Sequence, residues 1–465
     1  MNTRLAVIGA GPGGYVAAFH AADLGMQVTL IDADPNPGGV CTFRGCIPSK
    51  ALLHAARVLD EAKHATAFGV SFAKPSIDVD KLRVEDQVVK KQTGGLGLLA
   101  KSRKVTYIQG RASFVNAKTL SVETAGGEQK VEADYVIVAT GSQPTKVPNV
   151  SIGSPKVLDS TTALELPDVP NRLLVVGGGY IGLELGTVYA ALGSKVTVVE
   201  MTDGLLPGAD RDLATIVAKR METYAEAILL ETKVTSVQDD EKGLAVSLEG
   251  KNAPSAAHVF DRVLVAVGRR PNSAIAGLDT TKAKVNQRGF IEVDGQRRTA
   301  EPSIFAIGDV AGDPMLAHKA SHEARVAVEA IHGKSSIFEP RAIPAVVFTD
   351  PELAWTGLTE TIAKKQNIPI EIAKYPWAAS GRATTLDRPD GLTKLIIDPE
   401  TERVLGVGIV GVGAGELIAE GTLAIEMGAL ASDLKLTIHP HPTLSETVME
   451  AADVFFGESA HVYKP

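Results

Sequence analysis

Two segments of this chain repeat one local plan. The first runs Leu5-Ala-Val-Ile8, Gly9-Ala-Gly11-Pro-Gly13-Gly14, an apolar-periodic stretch to Leu24, and a strand ending at Asp32. The second runs Leu173-Leu-Val-Val176, Gly177-Gly-Gly179-Tyr-Ile-Gly182, a similar stretch to Leu192, and a strand ending at Glu200. The spacing from first glycine to terminal acid is the same in both. One G-x-G-x-x-G is weak evidence, because glycine turns are common. Two copies, each between strand and helix and each closed by an acid, form the pattern of dinucleotide sites. The first glycine makes a tight turn, the second admits a pyrophosphate, and the third lets helix approach strand. The helix N-terminus meets the phosphates with free N–H groups, and the acid accepts from ribose hydroxyls. The prediction is two nucleotide-binding α/β units on parallel sheets.

The rest of the chain is consistent with a multidomain soluble protein. At 465 residues it exceeds one ordinary core. Tyr135–Ser142, Val263–Arg269 and Ile304–Asp309 read as further buried strands ending in turns. Joints rich in proline fall near 144–148, 167–170 and 340–344. Past Ile343 the pattern changes. Leu392–Asp398 and Val404–Val410 suggest an antiparallel sheet, and Gly415–Met427 and Ser445–Phe455 suggest helices on it. The expected division is 1–147 with 273–342 for the first nucleotide domain, 148–272 for the second, and 343–465 for a C-terminal α+β domain. A net charge of −8 argues against nucleic acid as a partner. No apolar run is long enough for a membrane span, and no segment reads as a signal peptide. A cytoplasmic protein, or the mature form of an organelle protein, is expected.

The only two cysteines, Cys41 and Cys46, lie just beyond the first repeat, around Thr42-Phe43-Arg44-Gly45. Residues five apart on a straight helix are separated by about 7.5 Å of rise. A disulfide needs Cα atoms within about 7 Å. If the pair bridges, the segment must therefore turn, and Gly45 permits that. Pro48 suits the first turn of a helix over Ser49–Val58, whose N-terminus would favour thiolate. A purely structural bridge would gain little from so short a loop. No matching Cys or His spacing nearby supports a metal site. Near the C-terminus, His441 precedes Glu446 by five residues, a spacing for a base and its orienting acid. His439 is the competing base and lacks that acid spacing.

Gly38-Gly39-Val40-Cys41, Cys46-Ile-Pro-Ser-Lys50 and His441-Pro-Thr-x-x-Glu446 together resemble the flavin-dependent pyridine nucleotide–disulfide oxidoreductases, and the resemblance covers essentially the whole chain. Within that family it is nearest to members that oxidise dihydrolipoyl groups. The resemblance implies FAD on the first unit, held by Gly9, Gly11, Gly14, Asp32, Gly39, Val40, Lys50, Ala112, Gly141, Asp309 and Ala317. It implies NAD on the second, held by Gly177, Gly179, Gly182, Glu200, Val234 and Gly268, with Glu184 pairing Lys50. It implies a Cys41–Cys46 redox disulfide, with Cys41 for substrate and Cys46 against the flavin. It also implies His441 and Glu446 supplied by the other subunit of a homodimer, with the C-terminal domain as interface. Lipoyl domains and the acyltransferase core of a 2-oxo acid dehydrogenase complex would be its partners. Glu200-Met-Thr-Asp203 has no basic residue to meet a 2′-phosphate, which disfavours the NADPH-dependent members. Mercuric and larger thioredoxin reductases need further C-terminal cysteines, a flavin transhydrogenase lacks the pair, and a purely assembly role would need neither base nor thiols. Two departures stand out: Thr42-Phe43-Arg44 replaces the more usual Leu-Asn-x, and Asp32 stands where glutamate is common.

Overall fold

The computed structural model describes residues 3–83, 85–254 and 258–463. Each repeat builds the centre of a five-stranded parallel sheet. In the first, Arg4–Ile8 lies between Gln27–Asp32 and Tyr135–Val138, with Thr106–Gln109 and Ile304–Ala306 outside them. In the second, Arg172–Val176 lies between Lys195–Val199 and Arg262–Val265, with Ala225–Leu229 and Val157–Leu158 outside. Four strands follow the same order in both, while the fifth, outer strand comes last in the chain in the first sheet and first in the second.

These strands are continuously apolar because both faces are covered. Leu5 and Val7 enter one core, while Ala6 and Ile8 enter the core on the opposite face. Leu173 and Val175 divide from Leu174 and Val176 in the same way. The helices Pro12–Asp23 and Tyr180–Leu192 each follow a glycine turn. A Cβ at Gly14 would lie 1.8 Å from the Gly9 carbonyl oxygen, and one at Gly182 would lie 2.3 Å from that of Gly177. Only glycine allows each helix to start so close to its strand.

The C-terminal part is a five-stranded antiparallel sheet, Ala345–Val347, Glu352–Gly357, Val404–Gly411, Leu392–Ile397 and Glu371–Pro376 in spatial order. Helices Ala414–Met427 and Glu446–Phe456 pack on it over a separate core that includes Trp377, Leu395 and Ile409. Two smaller antiparallel sheets, one of Arg111–Asn116, Thr119–Thr124 and Gly127–Glu132 and one of Thr232–Asp240, Gly243–Gly250 and His258–Phe260, extend from the first and second nucleotide units. Among the described residues no helix is long and apolar enough to cross a membrane.

Candidate active site

A cavity of about 430 Å³ opens at the C-terminal edge of the first sheet. Gly9, Gly11, Asp32, Gly39, Val40, Cys41, Cys46, Lys50, Gly141, Glu184, Asp309 and Ala317, all singled out from the sequence, border it together. Its floor is a contact between two glycine turns. A Cβ at Gly39 would sit 2.4 Å from the Gly11 Cα, so the second turn tolerates no side chain there, whereas one at Gly11 would only touch the Gly39 Cα at 4.0 Å. The helices Pro12–Asp23 and Gly39–Arg44 both begin at this floor. Backbone N–H groups rather than side chains therefore face the space, which fits a dinucleotide pyrophosphate. The Asp32 carboxylate accepts from the N–H of Ala10 at 2.5 Å and of Asp34 at 2.9 Å. Those bonds fix the turn and leave lone pairs for a ribose. Gly14 does not border the cavity, since its role is the close helix–strand approach. Ala112 lies on the neighbouring strand Arg111–Asn116, half-buried, with Arg111 rather than Ala112 on the cavity wall.

The two cysteines sit on successive helices, Gly39–Arg44 and Cys46–His64, so the second helix starts three residues earlier and runs longer than its sequence pattern suggests. Gly45 makes the break between them, and a Cβ there would meet the Val40 carbonyl oxygen at 2.8 Å. The break brings the cysteines into contact as free thiols. Their hydrogen bond makes them unequal. Cys41 donates, and that bond together with burial holds its proton well above the ordinary thiol range. Cys46 accepts, and this bond, helped by the Lys50 ammonium and opposed by burial, lowers its pKa to about 7. Lys50 in turn pairs with Glu184 at 2.8 Å, while the other Glu184 oxygen accepts from the N–H of Phe348 at 3.0 Å. The Lys50 ammonium also lies over the Phe348 ring. The first repeat, the second repeat and the C-terminal part thus meet at one buried carboxylate.

Sequence reasoning named Asp309 but missed the wall that it forms with Ser142 and Arg269. Arg269 donates to the Ser142 hydroxyl and carbonyl, each at 2.7 Å, and the Ser142 hydroxyl donates to Asp309 at 2.5 Å. The sequence marks each as the end of a buried strand and Asp309 as a flavin-site residue, but only the fold brings the three together. Tyr180, just after the second glycine turn, borders the same cavity. Its place immediately after Gly179 was the available signal.

Gly177, Gly179, Gly182, Glu200 and Gly268 gather at the corresponding edge of the second sheet. The Glu200 carboxylate accepts from the N–H of Gly178 at 2.7 Å and from the N–H and hydroxyl of Thr202, each at 2.8 Å. It repeats the Asp32–Ala10 bond at the matching position and retains acceptor capacity for a ribose hydroxyl. Val234 lies partly buried on the antiparallel strand Thr232–Asp240. His441 and Glu446 stand apart from the cavity of their own chain. The Nδ1 of His441 is 2.8 Å from Glu446, and the ring is 78% exposed, with Nε2 directed away from that bond. His439 also has an acid, which corrects the sequence argument against it. Glu420, from the helix Ala414–Met427, lies 2.7 Å from its Nε2, while the Thr437 carbonyl engages its Nδ1. Both nitrogens of His439 are thus engaged, and its side chain is only 5% exposed.

The model of the pyridine nucleotide-disulphide oxidoreductase family matches residues 3–324, and that of the family's dimerisation domain matches 343–452. The chain is 50% identical to a dihydrolipoyl dehydrogenase of Vibrio cholerae over 98% of its length and 96% of the relative's. It is 45% identical to one of Geobacillus stearothermophilus, covering 99% and 98%. Among solved structures it resembles LpdA from Mycobacterium tuberculosis, with a TM-score of 0.89 at 27% identity over 97% and 99% of the two chains. It also resembles the HOCl-induced flavoprotein disulfide reductase RclA from Escherichia coli, with a TM-score of 0.86 at 28% identity over 97% and 99%. A thiol pair between two glycine-turn dinucleotide cradles is the arrangement that this family pairs with FAD and NAD(H), and the chain belongs to the pyridine nucleotide–disulphide oxidoreductases, within them to the dihydrolipoyl dehydrogenases.

Proposed function

We propose that this chain oxidises protein-bound dihydrolipoyl groups and reduces NAD+, serving the lipoyl domains around the acyltransferase core of a 2-oxo acid dehydrogenase complex. The observation that carries the reading is the opposed pair of thiols on the wall of a dinucleotide cavity. Bound FAD would take the electron pair from the thiols and hand it to NAD+ as hydride. The chain's own residues perform the thiol exchange. In the oxidised enzyme, His441 takes a proton from one substrate thiol through Nε2, with Glu446 orienting the ring. The resulting thiolate attacks Cys41, the Cys41–Cys46 bond breaks, and Cys46 leaves as a thiolate. The second substrate thiol then attacks the substrate sulfur bound to Cys41, closing the lipoyl disulfide; its proton passes to the departing Cys41, which leaves as a thiol, and His441 keeps the first proton. The protonated Cys41 and acidic Cys46 match the forms in which this exchange leaves them. Lys50, fixed by Glu184, stabilises the Cys46 thiolate.

His441 is exposed and does not border the cavity of its own chain, which supports a homodimer in which each protomer completes its partner's site. Leu423, Met427, Leu436 and Ile438 stand exposed on the same C-terminal part, and a second copy would cover them. The proposed units are 1–147 with 273–342 for FAD, 148–272 for NAD, and 343–465 for dimerisation, in a cytoplasmic enzyme.

The test is dihydrolipoamide-dependent formation of NADH by purified wild type, Cys41→Ser and Cys46→Ser proteins. Wild type should turn over, and either serine variant should lose at least about a thousandfold in kcat while retaining flavin. Turnover by both variants near the wild-type rate would overturn the thiol mechanism.

A further inference from the structure

Between the cysteines, Thr42-Phe43-Arg44 stands in place of the more usual Leu-Asn-x. The structure gives Arg44 a place. It is the last residue of the short helix carrying Cys41, immediately before Gly45 and Cys46. Its Nη2 donates to the Asp34 carboxylate, and its guanidinium lies 5.6 Å from the centre of the Phe43 ring. Asp34 stands two residues beyond Asp32 and donates its own N–H to that acid at 2.9 Å. Arg44 therefore joins the redox turn to the loop closing the first dinucleotide repeat. Arg44, Asp32 and Asp34 all border the cavity beside Gly11 and Gly39.

The charges at this end of the cavity are otherwise unfavourable for the cofactor. Two carboxylates, Asp32 and Asp34, face a group whose pyrophosphate carries two negative charges. The remaining cationic residues on the wall, Lys50, Arg111 and Arg269, include two that are engaged elsewhere, by Glu184 and by Ser142. A guanidinium has five N–H donors in a rigid fork, and the Asp34 bond uses one nitrogen of Arg44. The others suit phosphate oxygens, the partner for which that fork is best matched.

We propose that Arg44 is a further FAD-binding residue, donating to the pyrophosphate or its flanking ribose while anchored on Asp34. It offsets the two acids at the adenosine end and makes the position of the cysteine turn depend on the occupied cofactor site. The inference rests on FAD occupying this cavity, and the two can fail separately. Flavin retained by purified wild-type protein, seen by its absorbance, tests occupancy alone.

The test of Arg44 is titration of flavin-stripped protein with FAD, followed by flavin fluorescence at low salt and at 0.5 M NaCl. Wild type, Arg44→Met, Arg44→Lys and Asp34→Asn are compared, with ADP as a second probe that carries a pyrophosphate and no flavin. Arg44→Met should raise the Kd for FAD and for ADP by about tenfold or more, the effect expected for one charge-assisted hydrogen bond. Arg44→Lys should recover part of the loss, and the Arg44→Met protein should lose salt sensitivity. Asp34→Asn, which removes an acid and frees the guanidinium, should leave FAD binding unchanged or tighter. Overturning results are an Arg44→Met protein that binds FAD within twofold of wild type, or Asp34→Asn and Arg44→Met weakening FAD equally. The latter would mean that the ion pair only shapes the turn.

Discussion

At the scale of single residues, the asymmetry of the thiols yields a pH dependence. The Cys46 pKa is lowered to about 7 chiefly by the hydrogen bond that Cys41 donates. A depressed thiol is ionised above its pKa and protonated below it. Alkylation of Cys46 by iodoacetamide in reduced, flavin-free protein should therefore climb as pH rises through about 7 and level off above it. Cys41→Ala removes the donor, so the midpoint should move up toward the ordinary thiol range; mass-spectrometric labelling rates across pH 5–10 measure both curves. An unchanged midpoint would place the cause in Lys50 instead. The histidines divide just as sharply. His441→Ala removes a ring with a free nitrogen and should lower kcat with dihydrolipoamide by about 10²–10⁴-fold. His439→Ala removes a buried ring held at both nitrogens, so its main effect should be a lower melting temperature with most of the activity kept.

At the scale of elements, the glycine turns predict separable losses. Gly182→Ala would place a Cβ 2.3 Å from the Gly177 carbonyl oxygen, displacing the helix of the second repeat alone. The purified variant should still carry flavin yet bind NADH at least tenfold more weakly by fluorescence titration, an effect of backbone displacement at a phosphate site. Glu200 adds a preference. It is buried, already accepts three hydrogen bonds, and is followed by Met201-Thr202-Asp203, so a 2′-phosphate would meet negative charge with no cation in the segment. The kcat/KM for NAD+ should exceed that for NADP+ by about 10²-fold or more. Both units were legible in the sequence because glycine turn, helix and acid lie within one short stretch, and their tertiary contacts follow from that spacing. The chain break at Gly45 was legible for the same reason. The Arg269–Ser142–Asp309 wall, the Glu420 partner of His439 and the Arg44–Asp34 link were not, because in each the partner arrives from another part of the fold. Cys46–His64 was read too short because its first turn overlaps the cysteine pair, whose chemistry masked a helix start.

At the scale of the whole molecule, the question is which chain supplies the base. The cavity and the cysteines belong to the two nucleotide units, whereas His441 belongs to a C-terminal part that leaves it exposed and away from that cavity. Glu446, the first residue of the helix Glu446–Phe456, fixes His441 from one side and accepts from the N–H of Thr443 at 2.7 Å, so the loop is built to hold the ring outward. A ring held outward by a rigid loop serves chemistry only on something brought to it. In the proposed twofold dimer each protomer would offer cysteines to one site and the base to the other. Mixing two inactive proteins then has a definite result. In a dimer of one Cys46→Ser chain with one His441→Ala chain, one site has intact cysteines facing an intact histidine, and the other site has neither. Co-expression with differently tagged chains, followed by two-step purification of the mixed dimer, should give about half the wild-type activity per dimer, since one of its two sites is whole. Were the base supplied within each chain, both sites of the mixed dimer would carry a defect and its activity would stay at the level of the parents. The same preparation, stripped of flavin and titrated with FAD, should show two full binding sites, because Cys46→Ser exchanges one small side chain for another on the cavity wall and His441 does not border it. Recovery of turnover without any change in flavin content would therefore locate the defect, and its repair, in the meeting of the two chains.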